Sequence, residues 1–189
     1  MNKKPKSVPF RRKREGRTDY KKRMKTLISG KPRLVCRKSL HNIVCQIAMF
    51  TEIGDKVICS AHSRELIKKG WSGSRKSLPA AYLTGLLLAS KAKKAKVTEA
   101  IFDIGLFRAV HGSKLYAALA GAIDGGLKIP HEKDCLPKAD RLCGTHIAAY
   151  GEELKKKGAD LSKKQFSETD AAKVKSQFET IKAKLIKGE

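Results

Sequence analysis

Acidic side chains are scarce: 18 Asp and Glu stand against 42 Lys and Arg, a formal net charge of +24 on 189 residues. Self-repulsion of that size opposes any compact state, and a polyanionic partner is its usual compensation. Long apolar runs are missing as well. The longest, residues 80–89, is broken by Thr84 and Gly85 and falls short of the roughly 18 apolar residues that a membrane span requires. Behind Met1-Asn2-Lys3-Lys4-Pro5 there is no apolar block of secretory type, so a soluble, cytosolic chain without a membrane partner is expected. Close cysteine pairs are absent too. Cys36, Cys45, Cys59, Cys135 and Cys143 are odd in number and form no C-x-x-C motif. Zinc sites bring their ligands in such pairs, so no metal is expected and the cysteines read as buried, reduced thiols.

What is present is enough apolar residue, 41% of the chain, to build one core with extensions. The charge is uneven. Residues 1–38 hold 16 Lys and Arg but only Glu15 and Asp19 as acids, whereas residues 39–150 net +7 and residues 151–189 net +3. The run Arg11-Arg12-Lys13-Arg14 through Arg17 has almost no apolar content and is expected to be disordered alone in water. A short helix should follow, capped by Thr18 and ended by Gly30 and Pro32. Tyr20, Met24, Leu27 and Ile28 would share one face of it, and Lys21, Lys22, Arg23 and Lys25 would present a cationic face suited to phosphates.

Three strand signals come next, at 33–37, 43–49 and 56–61, separated by loops at 38–42 and 50–55. Alternation with short connections implies an antiparallel meander with one face on a core. Past Trp71 the period becomes helical. Pro79 sits in the first turn of a helix reaching about Lys94, and Tyr82, Leu83, Leu86, Leu87 and Ser90 keep its spacing. Residues 100–104, with Asp103 inside, read as a central strand. A loop over 105–112 leads into a helix capped by Ser113 and stopped by Gly125-Gly126, and a short strand is suggested at 127–129. The fold expected is α/β, with a mixed sheet in which a three-stranded antiparallel meander is followed by β-α-β-α order. A basic N-terminal arm and short helix (1–30) and a helical C-terminal extension (132–189) would flank an RNA-binding core (31–131). In the extension, His146, Ala149 and Tyr150 belong to one helical stretch. Ser167 with Asp170 resembles a capping box, and Ala171, Val174, Phe178, Ile181 and Leu185 form a stripe whose partner the pattern leaves open.

Catalysis finds little support. RNase-H-like nucleases gather several carboxylates at the sheet around divalent metals. Here the first strand, Arg33-Leu34-Val35-Cys36-Arg37, carries none, and Asp103 is the single acid within an expected strand; it reads instead as a partner for backbone donors of the 105–112 loop. His62-Ser63 lacks a nucleophile elbow and reads as hydrogen bonding around a strand end. Gly105 and Gly112 match neither a P-loop nor a dinucleotide fingerprint, so no cofactor and no small-molecule substrate are expected. Arg108, His111, Ser113 and Lys114 instead bring donors to a helix N-terminus, a natural seat for backbone phosphate.

Several stretches together resemble one family. They are Arg11-Arg12-Lys13-Arg14-Glu15-Gly16-Arg17-Thr18-Asp19-Tyr20, Gly30-Lys31-Pro32-Arg33-Leu34-Val35, Ser60-Ala61-His62-Ser63-Arg64-Glu65-Leu66, Pro79-Ala80-Ala81-Tyr82-Leu83-Thr84-Gly85, Phe102-Asp103-Ile104-Gly105-Leu106 and Gly112-Ser113-Lys114, running into Ala117-Ala118-Leu119. In this order, across residues 11–131, the chain resembles the universal ribosomal large-subunit protein eighteen family, in its archaeal form. The resemblance implies a structural protein that binds 5S rRNA and helps seat it in the central protuberance. Large-subunit rRNA and neighbouring ribosomal proteins would be further partners, and the location would be the cytoplasmic ribosome. Carried over by position, it implies RNA contacts from Arg11, Arg12, Arg14, Arg17, Thr18, Tyr20, Arg23, Arg33, Arg37, Ser39, Asn42, Arg108 and Lys114. Lys114 stands where the family often has Arg, keeping charge but losing the planar fork. Tyr20 or His41 could stack on an unpaired base. On charge alone, a nucleic-acid-binding module outside the ribosome, such as an RNA chaperone, would serve equally well, with a nuclease third.

Overall fold

The computed structural model describes residues 7–157 and 173–187. Its elements in chain order are α1 (Arg11–Arg14), α2 (Tyr20–Leu27), β1 (Arg33–Lys38), β2 (Ile43–Thr51), β3 (Gly54–His62), α3 (Glu65–Lys68), α4 (Leu78–Lys94), β4 (Ile101–Asp103), α5 (Lys114–Asp124), a 3₁₀ turn (Lys133–Cys135), α6 (Ala139–Cys143), α7 (Thr145–Lys156) and α8 (Val174–Lys187). The expected α/β class with a mixed sheet holds, in strand order β3-β2-β1-β4. β1, β2 and β3 form the antiparallel meander, and β4 runs parallel to β1.

Several boundaries differ from the sequence reading. Residues 50–55 are not a loop: Phe50 pairs with Asp55 and Thr51 with Gly54, and a register shift at Ile47/Ala48 marks a bulge in the hairpin. Turn-forming Gly54-Asp55 thus lies in strand pairing, because the hairpin itself needs only Glu52 and Ile53 at its tip. β4 lies at the sheet edge rather than its centre, since its three residues pair with β1 alone. The strand suggested at 127–129 reduces to one bridge between Glu99 and Lys128. Within the arm, Arg11–Arg14 forms a single exposed helical turn.

Because β3, β4 and β1 run one way, α4 and α5, which follow β3 and β4, both return the other way. The helix N-termini therefore share one end of the molecule with the C-terminal ends of β1 and β4, the end at which open α/β folds hold ligands. α4 buries thirteen of its seventeen residues, as expected of a helix enclosed by protein on all sides. It packs on the sheet, on α5 and on α8. Two glycines set the α4–α5 distance. A Cβ at Gly85 would fall 1.9 Å from the Ala118 carbonyl oxygen, and one at Gly121 would fall 2.0 Å from that of Tyr82. Leu34, Cys36, Ile43, Cys45 and Ile47 close the core from the sheet.

The C-terminal stripe packs on this domain. Val174, Phe178, Ile181 and Leu185 are buried in the same core, and the Phe178 ring lies 5.3 Å from that of Tyr82. Gln177 also accepts from and donates to Ser72. Ala171 and the Ser167/Asp170 pair lie outside the described residues. Of the five cysteines, Cys36 and Cys45 are buried and opposed across β1 and β2, with sulfurs 3.5 Å apart. Cys59, Cys135 and Cys143 are only half-buried, which corrects the expectation of uniformly buried thiols.

Candidate nucleic-acid interface

The sheet has two unlike faces. One carries the apolar residues that meet α4 and α5. The other, by the pairing of Arg33 with Ala48, Arg37 with Val44, Val35 with Asp103 and Phe50 with Asp55, carries a row of charges. Along it, Arg23, Asp55, Arg33, Asp103 and Arg37 form a continuous ladder. Arg23 donates to both oxygens of Asp55, at 2.8 and 3.0 Å. Arg33 Nη2 sits 2.8 Å from Asp55 Oδ2, off the line of its N–H bonds, and Arg33 Nη1 donates to Asp103 Oδ2 at 3.0 Å. Arg37 donates to the Asp103 carbonyl at 2.9 Å and reaches its carboxylate at 3.4 Å. Burial pushes the Asp55 carboxyl up, but the hydrogen bonds from Arg23 and the positive charges of Arg33 and Arg23 outweigh this and hold it below the ordinary carboxylate value.

The ladder redefines Arg33. Its side chain is 3% exposed and lies between two carboxylates, so phosphate cannot reach it from solvent. Arg33 ties strands together and leaves the set of expected RNA contacts. Arg37, 42% exposed, keeps an open side. Asp103 behaves as the sequence implied, accepting from the Gly105 N–H at 2.7 Å, with the two arginines as additional partners.

On the arm, Asp19 rather than Thr18 caps α2, accepting from the Lys21 and Lys22 N–H groups. Thr18 accepts from Arg12 Nε at 2.9 Å instead, folding the arm back on the start of α2. The stripe of α2 packs only in part: Tyr20 and Leu27 are half-buried, whereas Met24 and Ile28 are 64% and 78% exposed, and no residue of the helix is fully buried. Tyr20 meets Phe10, ring centroids 5.2 Å apart. Arg11 and Arg17 make solvent-exposed pairs with Glu15, which are worth little.

A second basic group gathers at the end where α4 and α5 begin. Lys38 closes β1 and lies 5.2 Å over the Phe107 ring. Lys76 precedes α4, and Lys114 opens α5. Burial, then the charges of Lys76 and Lys38, press the Lys114 ammonium below its ordinary value, the mark of like charges without a counter-ion. Exposed Arg108 is on the loop between Phe107 and this helix, and Ser39 and Asn42 form the adjoining turn, where Asn42 N–H donates to Ser39 Oγ. Ser113 occupies the N-cap of α5 without making a cap hydrogen bond, and its hydroxyl is buried with no partner. Lys38 and Lys76 escaped the sequence reading because their loops are 38 residues apart in the chain; the parallel course of α4 and α5 brings them together.

Elsewhere, Ser63 is fully buried, accepting from the Ile43 N–H and donating to Asn42 Oδ1. The backbone N–H groups of His62 and Arg64 are taken by Glu65 and by the His62 ring. The His62-Ser63 pair is thus strand-end hydrogen bonding. Among the described residues, no group of three or more His, Cys, Asp or Glu could hold a metal, and no helix is long and apolar enough to cross a membrane.

A basic α/β domain whose outer sheet face, arm and helix-start loops present cations belongs to the class of nucleic-acid-binding proteins in architecture. The family model for ribosomal large-subunit proteins 60S L5 and 50S L18 matches residues 4–99 and 90–132. The large ribosomal subunit protein uL18 of Methanococcus maripaludis is 54% identical over 160 residues, covering 85% of this chain and 82% of its own. The chain belongs to this family of ribosomal large-subunit proteins.

Proposed function

We propose that this protein binds 5S rRNA within the large ribosomal subunit and helps seat it in the central protuberance, in contact with large-subunit rRNA and neighbouring ribosomal proteins. One observation carries the reading. The outer-face acids are already paired with Arg23, Arg33 and Arg37, whereas, among the described residues, Arg12, Arg14, Arg108, Lys38, Lys76 and Lys114 have no carboxylate within ion-pair distance. Unpaired cations on two surfaces suit a polyanion, and phosphate would relieve the repulsion around Lys114.

The contacts on this reading come from Arg11, Arg12, Arg14, Arg17, Thr18 and Tyr20 on the arm, the open side of Arg37, and Ser39, Asn42, Arg108 and Lys114 with Lys38 and Lys76 on the loops; Arg23, expected among them from the sequence, is left out because both its terminal nitrogens donate to Asp55. Lysine and arginine release condensed counterions and supply most of the affinity, while the fixed loops match RNA shape. The role is structural, with no turnover, and the location is the ribosome in the cytoplasm. A salt titration of binding to 5S rRNA tests this. With roughly 6 to 10 phosphates neutralised, the logarithm of affinity should fall by about 0.7 to 0.9 per phosphate for each decade of salt. A slope near zero, or equal binding to an unrelated RNA of the same length, would overturn it.

A further inference from the structure

Asp55 is an acid on the face of a strongly basic protein where RNA is expected, and electrostatics alone would disfavour it there. Its geometry suggests what offsets that cost. α2 has no fully buried side chain to anchor it, only half-buried Tyr20, Thr26 and Leu27 beside Arg23. Among the described residues, the bidentate Arg23–Asp55 contact is the ion pair that joins α2 to the sheet; the next tether along the chain, Lys31–Glu99, lies beyond the helix between two exposed side chains. A planar guanidinium held on both carboxylate oxygens fixes rotation as well as distance, which a point charge cannot do. Asp55 is itself held by Arg33, which is clamped by Asp103 in β4. Its carboxylate is thus anchored to the sheet interior before it meets Arg23.

We propose that Asp55 is a positioning residue for RNA recognition, gripping Arg23 so that α2 lies fixed across the outer sheet face and aims the basic arm; this rests on the RNA-binding reading above. Holding the arm's exit in one direction lowers the conformational cost of ordering Arg11 to Arg17 on the RNA.

The proposal predicts a sign opposite to simple electrostatics. Asp55→Asn and Glu52→Gln each remove one negative charge from the same hairpin, but only the first touches the tether. Glu52→Gln should bind a 5S rRNA transcript as tightly as wild type or slightly tighter. Asp55→Asn should bind roughly three- to thirty-fold more weakly, the range expected for coupling between contacting groups. Arg23→Lys keeps the charge and leaves the Asp55–Arg33 contact intact, so it decides the matter if Asp55→Asn impairs folding; it should weaken binding similarly. The double variant should be no weaker than the weaker single one. Limited trypsin digestion without RNA gives an independent measure, with cleavage at Lys21, Lys22 and Lys25 faster in Asp55→Asn and Arg23→Lys than in Glu52→Gln. Unchanged cleavage, or Asp55→Asn binding as tightly as Glu52→Gln with an unaltered melt, overturns the proposal. Faster cleavage in a protein whose wild type binds no RNA overturns the RNA reading, and the positioning role with it, while showing the tether itself to be real.

Discussion

The two faces of one sheet hold their helices by different physics. On the inner face, α4 is enclosed by apolar side chains, α5 approaches to backbone contact through Gly85 and Gly121, and α8 adds Phe178 against Tyr82. On the outer face, α2 has no fully buried side chain and is joined by an arginine fork on a carboxylate. Apolar burial is non-directional and strong in sum. A half-exposed ion pair contributes little to stability but fixes orientation. The inner face accordingly serves stability and the outer face serves geometry.

The comparison can be broken most sharply at Phe178. Phe178→Ala should destabilise by about 3 to 5 kcal/mol, read as a lowered denaturation midpoint; an unchanged midpoint would mean that α8 is not part of the core. Gly85→Ala comes next. Alanine normally favours a helix by about 1 kcal/mol over glycine, but here the added methyl meets the Ala118 carbonyl, and the net effect should be a loss of about 1 to 3 kcal/mol in chemical denaturation. A gain would show that α4 and α5 separate freely.

Deletion of residues 1–17 should leave stability almost untouched and act on RNA binding instead. It removes eight Lys and Arg, and the described part, 7–17, is exposed throughout. Thermal stability should therefore change by less than about 0.5 kcal/mol, while the salt slope for RNA becomes shallower by about 0.7 to 0.9 for each phosphate that is no longer neutralised. Unfolding on truncation would assign the arm to the core. The smallest effect concerns Asp55 and acid. Its folded value lies below the ordinary 3.8, so its contribution is fully present at neutral pH and is lost as pH falls below that value through the folded one. The acid unfolding curve of Asp55→Asn should converge on that of wild type once the pH has fallen from 3.8 through the lower folded value; a difference that persists beyond that point would show that the carboxylate charge is not the cause.

Much of the fold was legible because its signals are local. Alternation at Ile43, Cys45 and Ile47, the Pro79 helix start and the Gly125-Gly126 stop each depend on neighbours in the chain. Where the reading failed, the deciding partner was distant. The apolar run of β4 suits a central strand, yet pairing on one side only makes it an edge. Arg33 looked like one more cation of a basic arm, but strand pairing puts it between Asp55 and Asp103. Asp55 falls in an expected loop over 50–55, because the pairing of Phe50 with Asp55 is set by a register that composition does not show.

From the sequence alone came the net positive charge with its concentration in the first 38 residues, the α/β order, and the family-like stretches that imply an RNA partner. These depend on residue identity and short spacing, which tertiary packing does not alter. The tertiary structure decided which cations stay free. Whether an arginine meets a phosphate or a carboxylate is set by what register and helix direction bring within about 3 to 4 Å, the range over which charge-assisted hydrogen bonds form. Arg33 is closed off by acids 22 and 70 residues away along the chain, and Lys38, Lys76 and Lys114 meet only because two helices run the same way.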